Sequence, residues 1–161
     1  MATLKVASAL AALIAAASLT GCGKPKPANT LTADGVKADV HSLIAAFNAH
    51  DAAKTVSHDA PDFVGMFHGM ANNLGPAADL SITKLQVADP KAHIDLSNER
   101  VDVSKAGDMA VYRATYAATS TDPKANRTVV EHGNLLIGYR IGPNGMPQVT
   151  WDSFSDTPAT S

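Results

Sequence analysis

His93-Ile94-Asp95-Leu96-Ser97-Asn98-Glu99-Arg100-Val101-Asp102-Val103-Ser104 is the stretch on which the fold turns. Before it, apolar residues recur at helical spacing; within it Ile94, Leu96, Val101 and Val103 alternate with polar neighbours, as in a half-buried strand. Toward the C-terminus, residues 108–121 predict a second strand after a tight turn at Ala106-Gly107-Asp108. Residues 127–141 predict a third, and the turn Gly142-Pro143-Asn144-Gly145 leads into a fourth over residues 149–154. Strands this long must bend, and Gly133 and Gly138 are the expected points of bend or bulge. Toward the N-terminus, Val36, Val40, Leu43, Ile44 and Phe47 share one face of a helix that Thr32 or Asp34 can cap. Asp51 can cap a short second helix running through Val56. Residues 62–67 read as a short strand, and Asn72-Asn73-Leu74-Gly75-Pro76 as a turn whose Pro76 opens another short helix. Helices first, then long strands joined by turns, predict an α+β domain with helices packed on a strongly curved antiparallel sheet.

The chain has 161 residues, is 45% hydrophobic and 17% charged, and carries a net charge of −2. Its N-terminus is built for export: Met1 to Lys5 is positively charged, Val6 to Ala17 is apolar, and small residues lead to Leu19-Thr20-Gly21-Cys22. The apolar run falls well short of the ~20 residues that span a bilayer. Leu19-Thr20-Gly21-Cys22 resembles the bacterial lipobox, which implies cleavage before Cys22 and lipidation of that cysteine. Several acyl chains, at ~0.8 kcal/mol per buried methylene, would hold the protein firmly on the cell envelope. By the same resemblance, Gly23 in place of aspartate favours the outer membrane, periplasmic side, in a Gram-negative host. Lys24-Pro25-Lys26-Pro27 suits an extended tether. The expected organisation is a signal peptide (1–21), lipidated cysteine and linker (22–30), one folded domain (31–157) and a short tail (158–161). Near-neutral charge without Lys/Arg clusters argues against nucleic acid. Cys22 is the only cysteine, so no disulfide within the chain can stabilise the domain.

An ordered series of short motifs then carries a resemblance. Asn48-x-x-Asp51, Gly75, Ala88-Asp89-Pro90, Gly107-Asp108-Met109-Ala110-Val111-Tyr112, Asp122-Pro123, Gly133, Tyr139-Arg140, Asn144-Gly145 and Trp151-Asp152-Ser153-Phe154-Ser155-Asp156 occur in one order across the domain. The series is similar to the DUF4440 and SnoaL-like branch of the NTF2-like superfamily, whose relatives include ketosteroid isomerase. The resemblance implies a cone: a curved sheet wraps helices and leaves a pocket at its wide end. It also implies homodimerisation through the open sheet face. Pro147 departs from the pattern, since many relatives have tryptophan there.

The fold hosts enzymes, binding proteins and assembly modules, so function must be read from the site. Where relatives place an aspartate base, this chain has Val64-Gly65-Met66; Asp59 and Asp62 stand only at the start of that strand, which counts against isomerase chemistry. Asp152, beside Trp151 on the last strand, is the first pocket candidate, because adjacent strand residues face opposite ways. His68, just past the early strand, and Glu131, which shares a face with Leu135, Ile137 and Tyr139, are further acid–base candidates. Tyr112 and Tyr116, interleaved with small alanines, suit a pocket wall or a dimer contact. Tyr112, Tyr116, Glu131, Trp151 and Asp152 are thus the expected ligand-binding set, with Asp152, His68 and Glu131 as catalytic candidates. No metal-ligand spacing, phosphate loop or nucleophile elbow occurs, so neither metal nor cofactor is expected. The leading expectation is a non-catalytic, membrane-anchored protein that binds a small, largely apolar or aromatic molecule. The alternatives are an isomerase, dehydratase or hydrolase using Asp152, and a dimeric assembly module.

Overall fold

A computed structural model describes residues 30–157; the leader, Cys22, most of the linker and the tail lie outside the described residues. Helix α1 spans Ala33–Asn48, and of the two candidate caps Thr32 takes the role, its Oγ1 accepting the Gly35 N–H at 3.1 Å. Its apolar stripe buries Val36, Val40 and Ile44. Helix α2, Ala52–Val56, is capped by Asp51, which accepts the Lys54 N–H at 2.9 Å. Strand β1 (Asp59–Phe67), the two-residue β2 (Asn73–Leu74) and helix α3 (Pro76–Val87) follow. Then come β3 (His93–Val103), β4 (Met109–Asp122), β5 (Arg127–Ile141) and β6 (Pro147–Asp156). The last strand starts at Pro147, a position a proline tolerates because it opens the strand.

The strands form one six-stranded sheet in the order β2-β1-β6-β5-β4-β3. The α+β architecture is as expected, with one refinement. β1 runs parallel to β6 while every other pair is antiparallel, so the sheet is mixed. One face of the sheet packs on α1 around Tyr112, Leu135, Ile137, Tyr139 and Val149. Asn48, the first residue of the motif series, closes the end of α1 onto β3: its side chain donates to Ile94 O at 2.9 Å and accepts the Ile94 N–H at 2.8 Å.

Three register shifts bend the sheet. In β3, six residues from Leu96 to Val101 oppose five from Tyr116 to Tyr112, and Asn98 takes up the extra residue at φ 54°. A larger shift lies between Asp59 and Val64 in β1. The third lies where Gly138 pairs with Trp151 but Tyr139 pairs with Val149, leaving Thr150 unopposed. This bulge is at the expected Gly138. A side chain on Gly138 would collide with the Trp151 indole, so the glycine is what lets that ring lie against the strand.

Candidate functional site

The bulge at Thr150 sets the chemistry of the interior. Val149 is buried and opposes Tyr139, so strict alternation would send Trp151 inward and Asp152 outward. The extra residue reverses this, held by the Thr150 hydroxyl donating to Gly138 O at 3.0 Å. Asp152 consequently sits opposite Ile137 on the inner face, and Trp151 lies on the outer face over Gly138.

Asp152 lines a cavity of about 490 Å³ between the helices and the inner face of the sheet. That volume falls in the ~300–1,000 Å³ range of small-molecule sites. Leu43, Ile44 and Phe47 of α1 form one wall; Leu135, Ile137 and Val149 form the other. An aromatic group completes it: Phe67 stacks on Phe154 with ring centroids 5.3 Å apart, and Tyr116 meets Phe154 edge-on at 5.3 Å. The Tyr116 hydroxyl donates to Asp156 at 2.8 Å, fixing the ring.

Asp59 of β1 and Asp79 of α3 join Asp152 in lining the cavity. Asp79 is 8% exposed and accepts from the Asn73 amide at 3.3 Å. Burial pushes the Asp152 carboxyl up to about 8, and the neighbouring Asp79 adds to the rise. Asp59 is likewise pushed up to about 8, first by burial and then by Asp79 and Asp152. Burial raises Asp79 as well, against hydrogen bonds from Asn73, Asp59 and Thr83. Asp59 Oδ2 and Asp152 Oδ1 are closed to solvent and have no hydrogen-bond partner. Such groups hold protons near neutrality because ionising them together in a dry site is costly. Among the described residues, no group of three or more His, Cys, Asp or Glu is arranged to hold a metal ion.

The other expected site residues distribute as follows. Tyr116 is 5% exposed and part of the cavity wall. Glu131 and His68 reach the cavity from exposed positions at its rim. Tyr112 does not line the cavity; it is fully buried in the core, and its hydroxyl donates to Glu99 at 2.9 Å. Trp151 is outside it for the reason given above. Sequence reasoning passed over Asp79, Phe67 and Phe154, and it set Asp59 aside as lying before the strand. β1 in fact begins at Asp59, and the register shift after it leaves that side chain on the cavity. Asp62 instead faces outward into a two-pronged pair with Arg140.

Helices on a curved, bulged sheet that opens on an interior cavity give an α+β, cone-like fold shared with solved NTF2-like structures. An NTF2-like superfamily protein from Salmonella enterica superposes with TM-score 0.68 at 12% identity, covering 80% of this chain and 92% of its own. A ketosteroid isomerase-like protein from Erwinia carotovora gives TM-score 0.65 at 18% identity over 78% of this chain and 96% of its own. LinA gives TM-score 0.69 at 11% identity over 78% and 85%. At these identities the likeness is one of fold. No protein-family model matches the sequence, and no curated protein matches it either.

Proposed function

We propose that the chain is an exported, lipid-anchored protein of the SnoaL-like branch whose cone binds one small, largely apolar molecule. The observation that carries this reading is the cavity itself: about 490 Å³, with aliphatic side chains and the Phe67–Phe154–Tyr116 group in its wall and Asp59, Asp79 and Asp152 in its recess. The envelope location rests on the leader and Cys22. Cys22→Ser should release the protein from membranes, and persistent tight partitioning would refute the anchor. A homodimer would use the outer face of the sheet, where Leu136 is 40% exposed.

Native mass spectrometry of the full-length protein, extracted gently from its host, tests the binding reading. Wild type should carry one small molecule per chain. Ala118→Trp, which places an indole in the cavity from β4, should carry none. An empty wild type, or equal occupancy in both, would overturn it.

One observation favours a catalytic reading as a second choice. Asp59 and Asp152 both line the cavity and burial pushes both up to about 8, so near that pH a protonated partner can donate while an ionised one accepts, as an isomerase or dehydratase requires. In that case Asp152→Asn would abolish turnover while leaving the domain folded.

A further inference from the structure

Six carboxylate side chains line the cavity (Asp59, Asp79, Asp89, Glu131, Asp152 and Asp156), and no lysine or arginine does. Three of the six are bonded by neighbouring side chains. Asp79 is bonded by Asn73, Asp89 by the Thr121 hydroxyl at 2.9 Å, and Asp156 by Tyr116 at 2.8 Å. Asp59 hydrogen-bonds Asp79, and Asp152 accepts from the Met66 backbone, but one oxygen of each, Asp59 Oδ2 and Asp152 Oδ1, is buried without a partner. An unsatisfied buried carboxyl oxygen is costly, and a protein that keeps two of them beside one cavity has an acceptor site awaiting a donor. Gly65, the β1 residue opposite Asp152, puts no side chain against that carboxyl. A Cβ there would stand 3.3 Å from Asp152 Oδ1.

We propose that the ligand of this cavity is a cation, a protonated amine on a compact aliphatic or aromatic body, with its ammonium group on Asp59 and Asp152 and its apolar part against Phe67, Phe154 and Tyr116. This deepens the binding reading and rests on it. Without ligand the two carboxyls keep their protons. An ammonium group favours their ionised form, supplies hydrogen-bond donors to the orphaned oxygens, and makes those bonds charge-assisted. Its displaced protons pass to solvent. A neutral carbonyl ligand would use a protonated carboxyl as donor, yet it would leave the acceptor oxygens unsatisfied and gain nothing from the acidic rim of Glu131 and Asp156.

Isothermal titration of the full-length protein with a matched pair of probes, 4-phenylbutan-2-amine and 4-phenylbutan-2-one, separates the possibilities. The two have the same carbon skeleton and differ at the polar atom. The amine should bind at least tenfold more tightly than the ketone, equivalent to about 1.4 kcal/mol. In the double variant Asp59→Asn/Asp152→Asn, the amine should lose at least tenfold while the ketone changes less than threefold, which also shows that the variant cavity is intact. A ketone that binds as well as the amine, or amine affinity that survives the double variant, would overturn the cation assignment and leave the binding reading standing. Failure of both probes to bind wild type would overturn the two together.

Discussion

Gly65 of β1 and Asp152 of β6 are register partners across the parallel pair, and a methyl group on Gly65 would stand 3.3 Å from Asp152 Oδ1. The same methyl would come within 3.1 Å of the Phe67 ring. Gly65 therefore spaces the carboxyl from the aromatic wall. Gly65→Val should leave the sheet intact, because this residue is not among those with positive φ, but should weaken binding of an amine probe at least tenfold. Calorimetry reads the loss, and unchanged affinity would mean that the ligand does not reach Asp152.

Stability should fall as pH rises from about 4 to about 8. The unfolded Asp59 and Asp152 carboxyls ionise near the ordinary 3.8, whereas in the folded protein they hold their protons up to about 8. Across that window the folded state binds more protons than the unfolded one, so each upward step in pH favours unfolding. Asp62, held low first by its hydrogen bonds from Arg140, acts in the opposite sense, but only as pH falls below the ordinary carboxyl range. Urea denaturation at pH 5 and pH 8 should differ by at least about 1.4 kcal/mol, the equivalent of one pKa unit. Asp152→Asn should shrink that difference and raise stability at pH 8.

Asp79 should behave differently from Asp152 although both are buried acids. It accepts from Asn73, itself 5% exposed, and lies on the same buried turn of α3 as Thr83. Asp79→Ala leaves these groups without their acceptor and should cost about 1–3 kcal/mol at pH 7. Denaturation midpoints compare the two variants directly.

On the outer face, Trp151→Ala should cost about 1–2 kcal/mol, below the ~3–5 kcal/mol of a buried aromatic, because the ring is only half-buried over Gly138. Tyr139→Phe, at a residue 1% exposed, should cost a similar ~1–2 kcal/mol. It removes the hydroxyl that donates to Asp39 at 2.9 Å, in a network that His58 joins at 2.9 Å. A loss of ~3–5 kcal/mol for Trp151→Ala would contradict its place on the outer face.

The helices, the long strands and the motif series were legible because periodicity and turn chemistry are local signals. The bulges were less so, though two had left traces. In β3 the apolar parity changes between Leu96 and Val101, which is the mark of the extra residue at Asn98. In β6, Val149 and Trp151 share a parity that only an inserted residue can split between two faces. The expected pairing of Asp152 with a pocket was therefore reached by simple alternation from Trp151, while the structure reaches it through Thr150. Tyr112 illustrates the reverse case. It shares its strand face with Tyr116, but four residues along the strand it has passed from the cavity into the core, where Glu99 accepts its hydroxyl. Asp79 carried no local signal at all. It looks like an ordinary first-turn helix acid, favourable near the positive helix end, and only tertiary packing brings it beside Asp59 and Asp152.

The charge state of the recess is the claim on which the site depends, and carboxyl ¹³C NMR of aspartate-labelled protein reads it directly. The account predicts that Asp59 and Asp152, identified by their Asn variants, titrate near pH 8 in the empty protein and become ionised at pH 6.5 when 4-phenylbutan-2-amine is added. Titration of every aspartate below pH 5, with no response to the amine, would contradict it.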